Sequence, residues 1–328
     1  MIIMNRNTSP VSPFRREHYE KSSQMTPVSQ YPEVEIDRFK KNYGQITDLN
    51  PEELELANGS DEWIQKLMIV FGLDGGALTL APDFFMYTDY AGQFGVDLRY
   101  VDADENYDFD IQKVIKEIKK VQPKMFIFSN PQNPTAVQFS EEDIQDLADA
   151  MKEIDGYLVI DEAYVEFGEE YKRPEGDHVI IIRTMSKIYG MAGLRIGILH
   201  ATGLTYEKIT KINHPYPLNN LVLNLASEFL EDQPARDDFI DYQLEAKKLL
   251  VESLKPIEDV IQVKPSSTNF VFTYGDKAVD LGRYLENQGY LARFYEEDNL
   301  KNVVRYSIID LEEYPSFEEA VKNWRAMQ

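Results

Sequence analysis

The chain has 328 residues, more than one hydrophobic core usually holds, which favours two domains or one large domain beside a smaller one. Its 57 Asp and Glu residues against 34 Lys and Arg residues give a formal charge of −23, which disfavours binding to nucleic acid or to anionic membranes. There are no cysteines, which excludes disulfides, thiolate metal sites and cysteine nucleophiles, and the four histidines lack metal-ligand spacing.

The first residues, MIIMNRN, have neither the basic region nor the long apolar run of a signal peptide. No apolar run in the chain approaches the ~20 residues that a membrane-spanning helix needs. A cytoplasmic protein is therefore the expectation.

Three regions follow one another in the sequence. Residues 1–35 are rich in Pro, Ser and charge, which predicts an extended N-terminal arm. Residues 36–235 alternate short apolar strands with amphipathic helices, which predicts right-handed crossovers and an α/β domain with a mostly parallel sheet flanked by helices. Residues 236–328 group strands with helices, which predicts a small α+β domain, and we expect the arm to pack with it.

One helix of the large domain has a clear start signal. Ser140, with Asp143 three residues later, resembles a capping box. The buried stripe predicted for this helix is Ile144, Leu147, Ala148 and Met151.

Polar side chains follow three successive predicted strands. The strand 124–129 leads into NPQNPT, the strand 157–161 leads into DEAY, and the strand 178–184 leads into Met-Ser-Lys. Ligands of open parallel sheets bind at the carboxyl ends of the strands, so we expect these side chains to share one edge. They are Asn133, Asp161, Tyr164, Thr184, Ser186 and Lys187.

These groups match the needs of one cofactor. A lysine in a partly desolvated crevice can form a Schiff base with an aldehyde, and a buried aspartate can pair with a protonated pyridine nitrogen. Tyrosine and asparagine can hydrogen-bond a phenolate oxygen. Thr184, Ser186 and Arg195, together with a helix N-terminus, can hold a phosphate. The combination predicts pyridoxal 5′-phosphate, whose ring acts as an electron sink.

The motifs NPQNPT, DEAYVEF and TMSKIYGMAGLRIG, in that order, resemble the fold type I aminotransferases, and among these most closely the histidinol-phosphate aminotransferases. The resemblance implies that Lys187 carries the cofactor and that Asp161 pairs with its ring nitrogen. It also implies that Tyr164 and Asn133 bind its phenolic oxygen. Pyridoxal 5′-phosphate is the cofactor that this family uses.

Further segments extend the resemblance from about residue 28 to residue 315. NGSDEWI implies that Gly59, Ser60 and Asp61 receive the cofactor phosphate, and APDFFMY implies that Phe84 stacks on the ring. The motif QYPE implies that Tyr31 reaches the cofactor phosphate of a partner subunit, hence a homodimer with shared active sites. The strands YLARFY and VVRYSI imply that Arg293 and Arg305 bind the anionic end of the substrate.

The activity implied is amino transfer from histidinol phosphate, or a related amino acid, to 2-oxoglutarate, with Lys187 moving the proton as general base and acid. Three features depart from the family pattern: Ala136 replaces a glycine, NRNTSPVSP only loosely resembles Asn-Glu-Asn-Pro, and HPYPLNN stands where Pro-Tyr-Asn is expected. An aromatic amino acid aminotransferase and a pyridoxal-phosphate decarboxylase of a phosphorylated amino acid therefore stay open. A non-catalytic ligand-sensing domain is disfavoured because Lys187 and Asp161 are both present.

Overall fold

Two separate β-sheets organise the chain, and the computed structural model describes residues 1–328. The strands are β1 (Ile2–Met4), β2 (Leu54–Asn58), β3 (Ala77–Ala81), β4 (Leu98–Asp102), β5 (Met125–Ser129), β6 (Tyr157–Asp161), β7 (Val179–Thr184), β8 (Ile196–His200), β9 (Gln262–Val263), β10 (Phe270–Tyr274), β11 (Tyr290–Phe294) and β12 (Val303–Ser307). The α-helices are α1 (Arg16–Met25), α2 (Glu33–Thr47), α3 (Ser60–Leu67), α4 (Leu73–Gly75), α5 (Met86–Phe94), α6 (Ile111–Val121), α7 (Glu141–Glu153), α8 (Gly203–Thr210), α9 (Asn220–Glu231), α10 (Gln233–Leu254), α11 (Ala278–Asn287) and α12 (Tyr314–Ala326).

The larger sheet has seven strands in the order β2-β8-β7-β6-β5-β3-β4. Strands β3 to β7 pair in parallel, whereas β8 runs antiparallel to both of its neighbours. Every residue of β5 and β7 is buried, because helices cover both faces of the sheet. On one face α3 and α5 pack against the strands, and on the other α6 and α7 do so. The predicted mostly parallel sheet flanked by helices is confirmed.

The capping box predicted at Ser140 is present at the start of α7. The hydroxyl of Ser140 accepts a hydrogen bond from the Asp143 backbone N–H at 3.1 Å, and the Asp143 carboxylate accepts one from the Ser140 N–H at 3.2 Å. The predicted stripe is buried in the core between α6, α7 and the sheet. This helix therefore begins and packs as the sequence predicts.

The smaller sheet has five strands in the order β1-β11-β12-β10-β9, and it packs against α10, α11 and α12. Its outer strand β1 comes from the N-terminus and pairs in parallel with β11, with Ile2 opposite Tyr290. The first residues thus pack with the C-terminal part of the chain, as expected.

The N-terminal arm is only partly extended, because residues 16–25 form α1. The segment is anchored on α9, where Phe14 and His18 each make an edge-to-face contact with Phe229 at 6.0 Å. This apolar contact stabilises a helix that the local sequence does not predict. The helices α2 and α10 begin at Glu33 and Gln233, so each runs across a proposed domain boundary, and the division at 35 and 235 stays a prediction.

None of the helices is both long enough and apolar enough to cross a membrane. The cytoplasmic location stays a prediction.

Candidate active site

Two connected cavities lie at the carboxyl ends of the central strands. The inner cavity, of about 200 Å³, is lined by the last residues of β5, β6 and β7, which are Ser129, Asp161 and Thr184. The outer cavity, of about 620 Å³, continues toward β11 and β12. The inner cavity contains all six side chains that the sequence places at the strand ends: Asn133, Asp161, Tyr164, Thr184, Ser186 and Lys187.

Lys187 is half-buried just after β7, where it borders both cavities. Its Nζ donates a hydrogen bond of 3.3 Å to the backbone carbonyl of Asn7 and lies 5.4 Å from the centre of the Tyr164 ring. The amine is therefore held at the junction of the two cavities without an ion-pair partner. This placement leaves it free to react with a bound aldehyde.

Asp161 is buried at the end of β6, with 3% of its surface exposed. Its carboxylate accepts hydrogen bonds from the Tyr87 hydroxyl at 3.0 Å and from the Ala163 N–H at 3.1 Å. Burial raises the pKa of Asp161 to about 6, although both hydrogen bonds lower it. Burial also raises the pKa of Tyr87, so this phenol stays a proton donor. A buried carboxylate of this kind is suited to a positively charged ligand atom.

The N-terminus of α3 forms one wall of the inner cavity through Ser60 and Asp61. Gly59 precedes the helix with a φ of +83° and provides no side-chain cap, so backbone N–H groups of the first turn are left for a ligand. A side chain at Gly59 would collide with the guanidinium of Arg195. Arg195 lies across this turn and donates to the Asp61 carboxylate at 2.9 Å.

The hydroxyls of Thr184 and Ser186 line the same wall and hydrogen-bond each other at 2.9 Å. Together with the start of α3 and Arg195, they surround the cavity with hydrogen-bond donors. Gly59 itself does not line the cavity, and its role is to allow the close approach of Arg195. The arrangement is a typical anion-binding site.

Arg305 and Arg293 line the outer cavity and not the inner one. Arg305 is 8% exposed; its Nη1 donates to Asn133 Oδ1 at 2.6 Å, and its guanidinium lies 4.9 Å from the Phe270 ring centre. Arg293 faces Arg305 in the register of β11 and β12 and is exposed. Because Asn133 uses its oxygen for Arg305, its amide N–H groups are the ones left for a ligand oxygen. Phe84 borders both cavities.

Tyr31, unlike Gly59 beside the inner cavity, lies away from both cavities. It is 73% exposed and stacks on Tyr216, with ring centres 4.6 Å apart. Tyr216 belongs to HPYPLNN, and its hydroxyl donates to Glu33 at 2.9 Å. The structure of one chain therefore does not bring Tyr31 to the site.

The family model "Aminotransferase class I and II" matches residues 5–320. The chain belongs to this aminotransferase family. The enzyme is 34% identical over 284 residues to a histidinol-phosphate aminotransferase of Clostridium novyi (strain NT), an alignment that covers 85% of this chain and 78% of that protein.

Solved structures confirm the fold class of the enzyme. It is similar to histidinol-phosphate aminotransferase from Sinorhizobium meliloti in complex with pyridoxal-5′-phosphate, with a TM-score of 0.85, 20% identity and coverage of 99% of this chain and 91% of that one. It is also similar to L-threonine-O-3-phosphate decarboxylase from Porphyromonas gingivalis, with a TM-score of 0.75, 19% identity and coverage of 99% of both chains. The predicted fold type I architecture is therefore confirmed.

The inner cavity of the enzyme fits pyridoxal 5′-phosphate, the cofactor that the sequence resemblance implies. The buried carboxylate of Asp161 lacks a cationic partner, which a protonated ring nitrogen would supply. The uncapped start of α3, with Arg195 beside it, suits the phosphate group. Lys187 lies where it can bind the aldehyde carbon.

Sequence reasoning missed Asn7, which connects the N-terminal arm of the enzyme to the site. Asn7 is 2% exposed, its side-chain amide donates to the Tyr164 hydroxyl at 3.0 Å, and its carbonyl accepts from Lys187. Its backbone N–H donates to the Ser307 hydroxyl at 3.1 Å. One residue of the arm therefore links the large sheet, the small sheet and Lys187. The available signal was the loose match of NRNTSPVSP to the family's arm segment.

Asp83 was missed as well, although it precedes Phe84 in the quoted segment APDFFMY. Its carboxylate accepts hydrogen bonds from the Phe84 N–H at 2.7 Å and from the Ser129 N–H at 3.2 Å, and it also bonds the Ser129 hydroxyl. Burial raises the pKa of Asp83 to about 8, and nearby Asp161 adds to this effect. The hydrogen bonds of Asp83 thus hold the loop that contains Phe84 against the end of β5.

Proposed function

We propose that this pyridoxal-phosphate-dependent aminotransferase takes the amino group of histidinol phosphate, or of a closely related amino acid, and passes it to 2-oxoglutarate. The observation that carries the proposal is Arg305, a buried arginine without a carboxylate partner that lines the cavity next to Lys187. An unpaired buried cation is costly unless a ligand neutralises it, so an anionic substrate end is the natural partner. The identity to the Clostridium novyi relative supports histidinol phosphate as the donor.

Lys187, Asp161 and Tyr164 have different roles in the proposed amino transfer. When bound, pyridoxal 5′-phosphate supplies a ring that accepts the negative charge left on the substrate Cα. Lys187 would take the proton from the substrate Cα with its Nζ and return it later in the reaction, acting first as general base and then as general acid. Asp161 provides the negative charge that keeps a proton on the ring nitrogen. Tyr164 accepts a hydrogen bond from Asn7, which leaves its own proton for the ring oxygen.

A panel of amino donors tests the proposal. Purified holoenzyme is incubated with 2-oxoglutarate and, in separate reactions, with histidinol phosphate, phenylalanine, tyrosine or threonine phosphate, while glutamate and carbon dioxide are both measured. Glutamate formed from histidinol phosphate, without carbon dioxide, is the expected result. Glutamate formed only from phenylalanine and tyrosine would show that histidinol phosphate is not the donor.

A decarboxylase of a phosphorylated amino acid is the second candidate, and the likeness in fold to the Porphyromonas gingivalis decarboxylase favours it. Such an enzyme uses the same lysine and aspartate, since the cofactor chemistry is shared. Release of carbon dioxide from threonine phosphate, with no glutamate formed, would identify this activity and exclude amino transfer.

We also propose that the enzyme works as a homodimer in which Tyr31 serves the active site of the partner subunit. The exposure of Tyr31 and its distance from the cavities of its own chain support this assignment. Mixing the variants Tyr31→Ala and Lys187→Ala tests it at limiting cofactor, because a hybrid dimer then contains one intact site. Turnover above the sum of the separate variants is expected, and turnover equal to that sum would contradict the proposal.

A further inference from the structure

Three arginines of the chain, Arg6, Arg293 and Arg305, have no carboxylate oxygen within 4.0 Å, and each of the others has one. All three line the outer cavity. In a chain with a formal charge of −23, acidic partners are abundant, so unpaired arginines gathered in one place require an explanation. A site that binds an anion provides it.

Arg6 is positioned by the residues on either side of it. The carbonyl of Asn5 accepts a hydrogen bond from Arg305 Nη2 at 3.3 Å, and the carbonyl of Asn7 accepts one from Lys187 Nζ at 3.3 Å. The backbone is therefore fixed both to an arginine of the outer cavity and to the reactive lysine. The side chain of Arg6 is exposed, lines the outer cavity and makes no hydrogen bond within the chain.

The acidic groups of the outer cavity do not neutralise Arg6. They are Asp83, Asp89 and Glu297, and none of them forms an ion pair with it. Asp83 is occupied by its hydrogen bonds to the end of β5. The guanidinium of Arg6 is therefore available to a ligand.

The sequence around Arg6 also departs from the family pattern in charge. Asn5 and Asn7 match the two asparagines of the Asn-Glu-Asn-Pro segment, so Arg6 stands where that segment has glutamate. A positive side chain thus lines this cavity at a position where the resemblance implies a negative one. An exchange of this sign changes which anions the cavity can accept.

We propose that Arg6 binds the anionic end of the donor together with Arg305 and Arg293, and that it selects a phosphate monoester over a carboxylate. A phosphate monoester has three acceptor oxygens and a charge near −2, whereas one guanidinium satisfies a carboxylate in a bidentate pair. Three guanidinium groups match the phosphate and exceed what a carboxylate needs. This inference rests on the proposed amino transfer and assigns a specificity residue to it.

Steady-state kinetics of the holoenzyme test the assignment, with Arg6→Gln compared to wild type. Arg16→Gln is the matched control, because Arg16 lies on α1 and pairs with Glu20. Arg6→Gln is expected to raise the KM for histidinol phosphate at least about tenfold with little change in kcat, while the KM for 2-oxoglutarate changes less than about twofold. The KM of Arg6→Lys for histidinol phosphate is expected to lie between those of wild type and Arg6→Gln. An unchanged KM for histidinol phosphate, or an equal rise for both substrates, would overturn the inference.

Calorimetry with inorganic phosphate separates this inference from the proposed function. If wild-type enzyme transfers no amino group from histidinol phosphate, the proposed function fails, and phosphate binding still reports on Arg6. Binding at least about tenfold weaker in Arg6→Gln than in wild type and Arg16→Gln is expected. Equal phosphate affinity in all three proteins would refute the role of Arg6.

Discussion

The hydroxyl of Tyr87 donates a hydrogen bond of 3.0 Å to the buried carboxylate of Asp161, and so connects α5 to the end of β6. The bond stabilises the charged form of Asp161 and lowers its pKa, whereas burial raises that pKa to about 6. Tyr87 therefore helps to keep Asp161 ionised near neutral pH. The charge that we assign to the cofactor ring depends on this pair.

Replacing Tyr87 by phenylalanine removes the hydrogen bond and keeps the ring. The pKa of Asp161 then rises, so the carboxylate is protonated at a higher pH and the acid limb of the kcat/KM profile moves upward. Below pH 6 we expect a loss of roughly tenfold in kcat/KM. The pH profile measures this, with Tyr19→Phe, an exposed tyrosine on α1, as control. An acid limb that stays in place would show that Tyr87 does not tune Asp161.

Replacing Arg305 by glutamine is expected to lower kcat/KM for an anionic donor roughly 10- to 100-fold, because charged hydrogen bonds to the substrate are lost. The loss should appear mainly in KM, since the group binds the substrate away from the reacting atoms. Arg283→Gln is the control, because this exposed arginine pairs with Glu286 on α11. Equal kinetics for the two variants would remove Arg305 from the substrate site.

Asp83 makes the stability of the protein depend on pH. Its pKa is about 8 in the folded protein against an ordinary value of 3.8, so the folded state holds this proton more tightly than the unfolded chain. The protonated Asp83 side chain therefore stabilises the folded state. This stabilisation is complete when the pH is below 3.8, and it is lost as the pH rises toward 8. The urea midpoint of the wild type should fall between pH 5 and pH 8, and that of Asp83→Asn should fall less. Asp89→Asn, an exposed carboxylate on α5, is the control and should keep the wild-type slope; an identical fall in all three proteins would contradict this account.

The residues at the ends of the central strands could be predicted from the sequence, because parallel strands bring their carboxyl ends to one edge. Lys187, Asp161 and Thr184 are placed in this way and line one cavity. Tyr87 could not be predicted, since it meets Asp161 across 74 positions of the chain through the packing of α5. Asn7 meets Tyr164 across 157 positions for a similar reason.

Two other positions show what a local pattern can and cannot predict. The glycine expected at Ala136 is explained by the structure, because this residue has a φ of +68°, in the left-handed region that favours glycine. Tyr31 lies away from the cavities of its own chain, and no pattern within one chain can place it relative to a partner. Its role in the partner's site stays a prediction.

The most direct test of the account is to identify the lysine that carries the cofactor. Holoenzyme is reduced with borohydride, digested, and searched by mass spectrometry for a peptide that retains the cofactor, with Lys187→Ala and the exposed Lys172→Ala treated in parallel. We predict one modified peptide, containing Lys187, in wild type and in Lys172→Ala, and none in Lys187→Ala. Modification of a different lysine, or a modified peptide that persists in Lys187→Ala, would contradict the account.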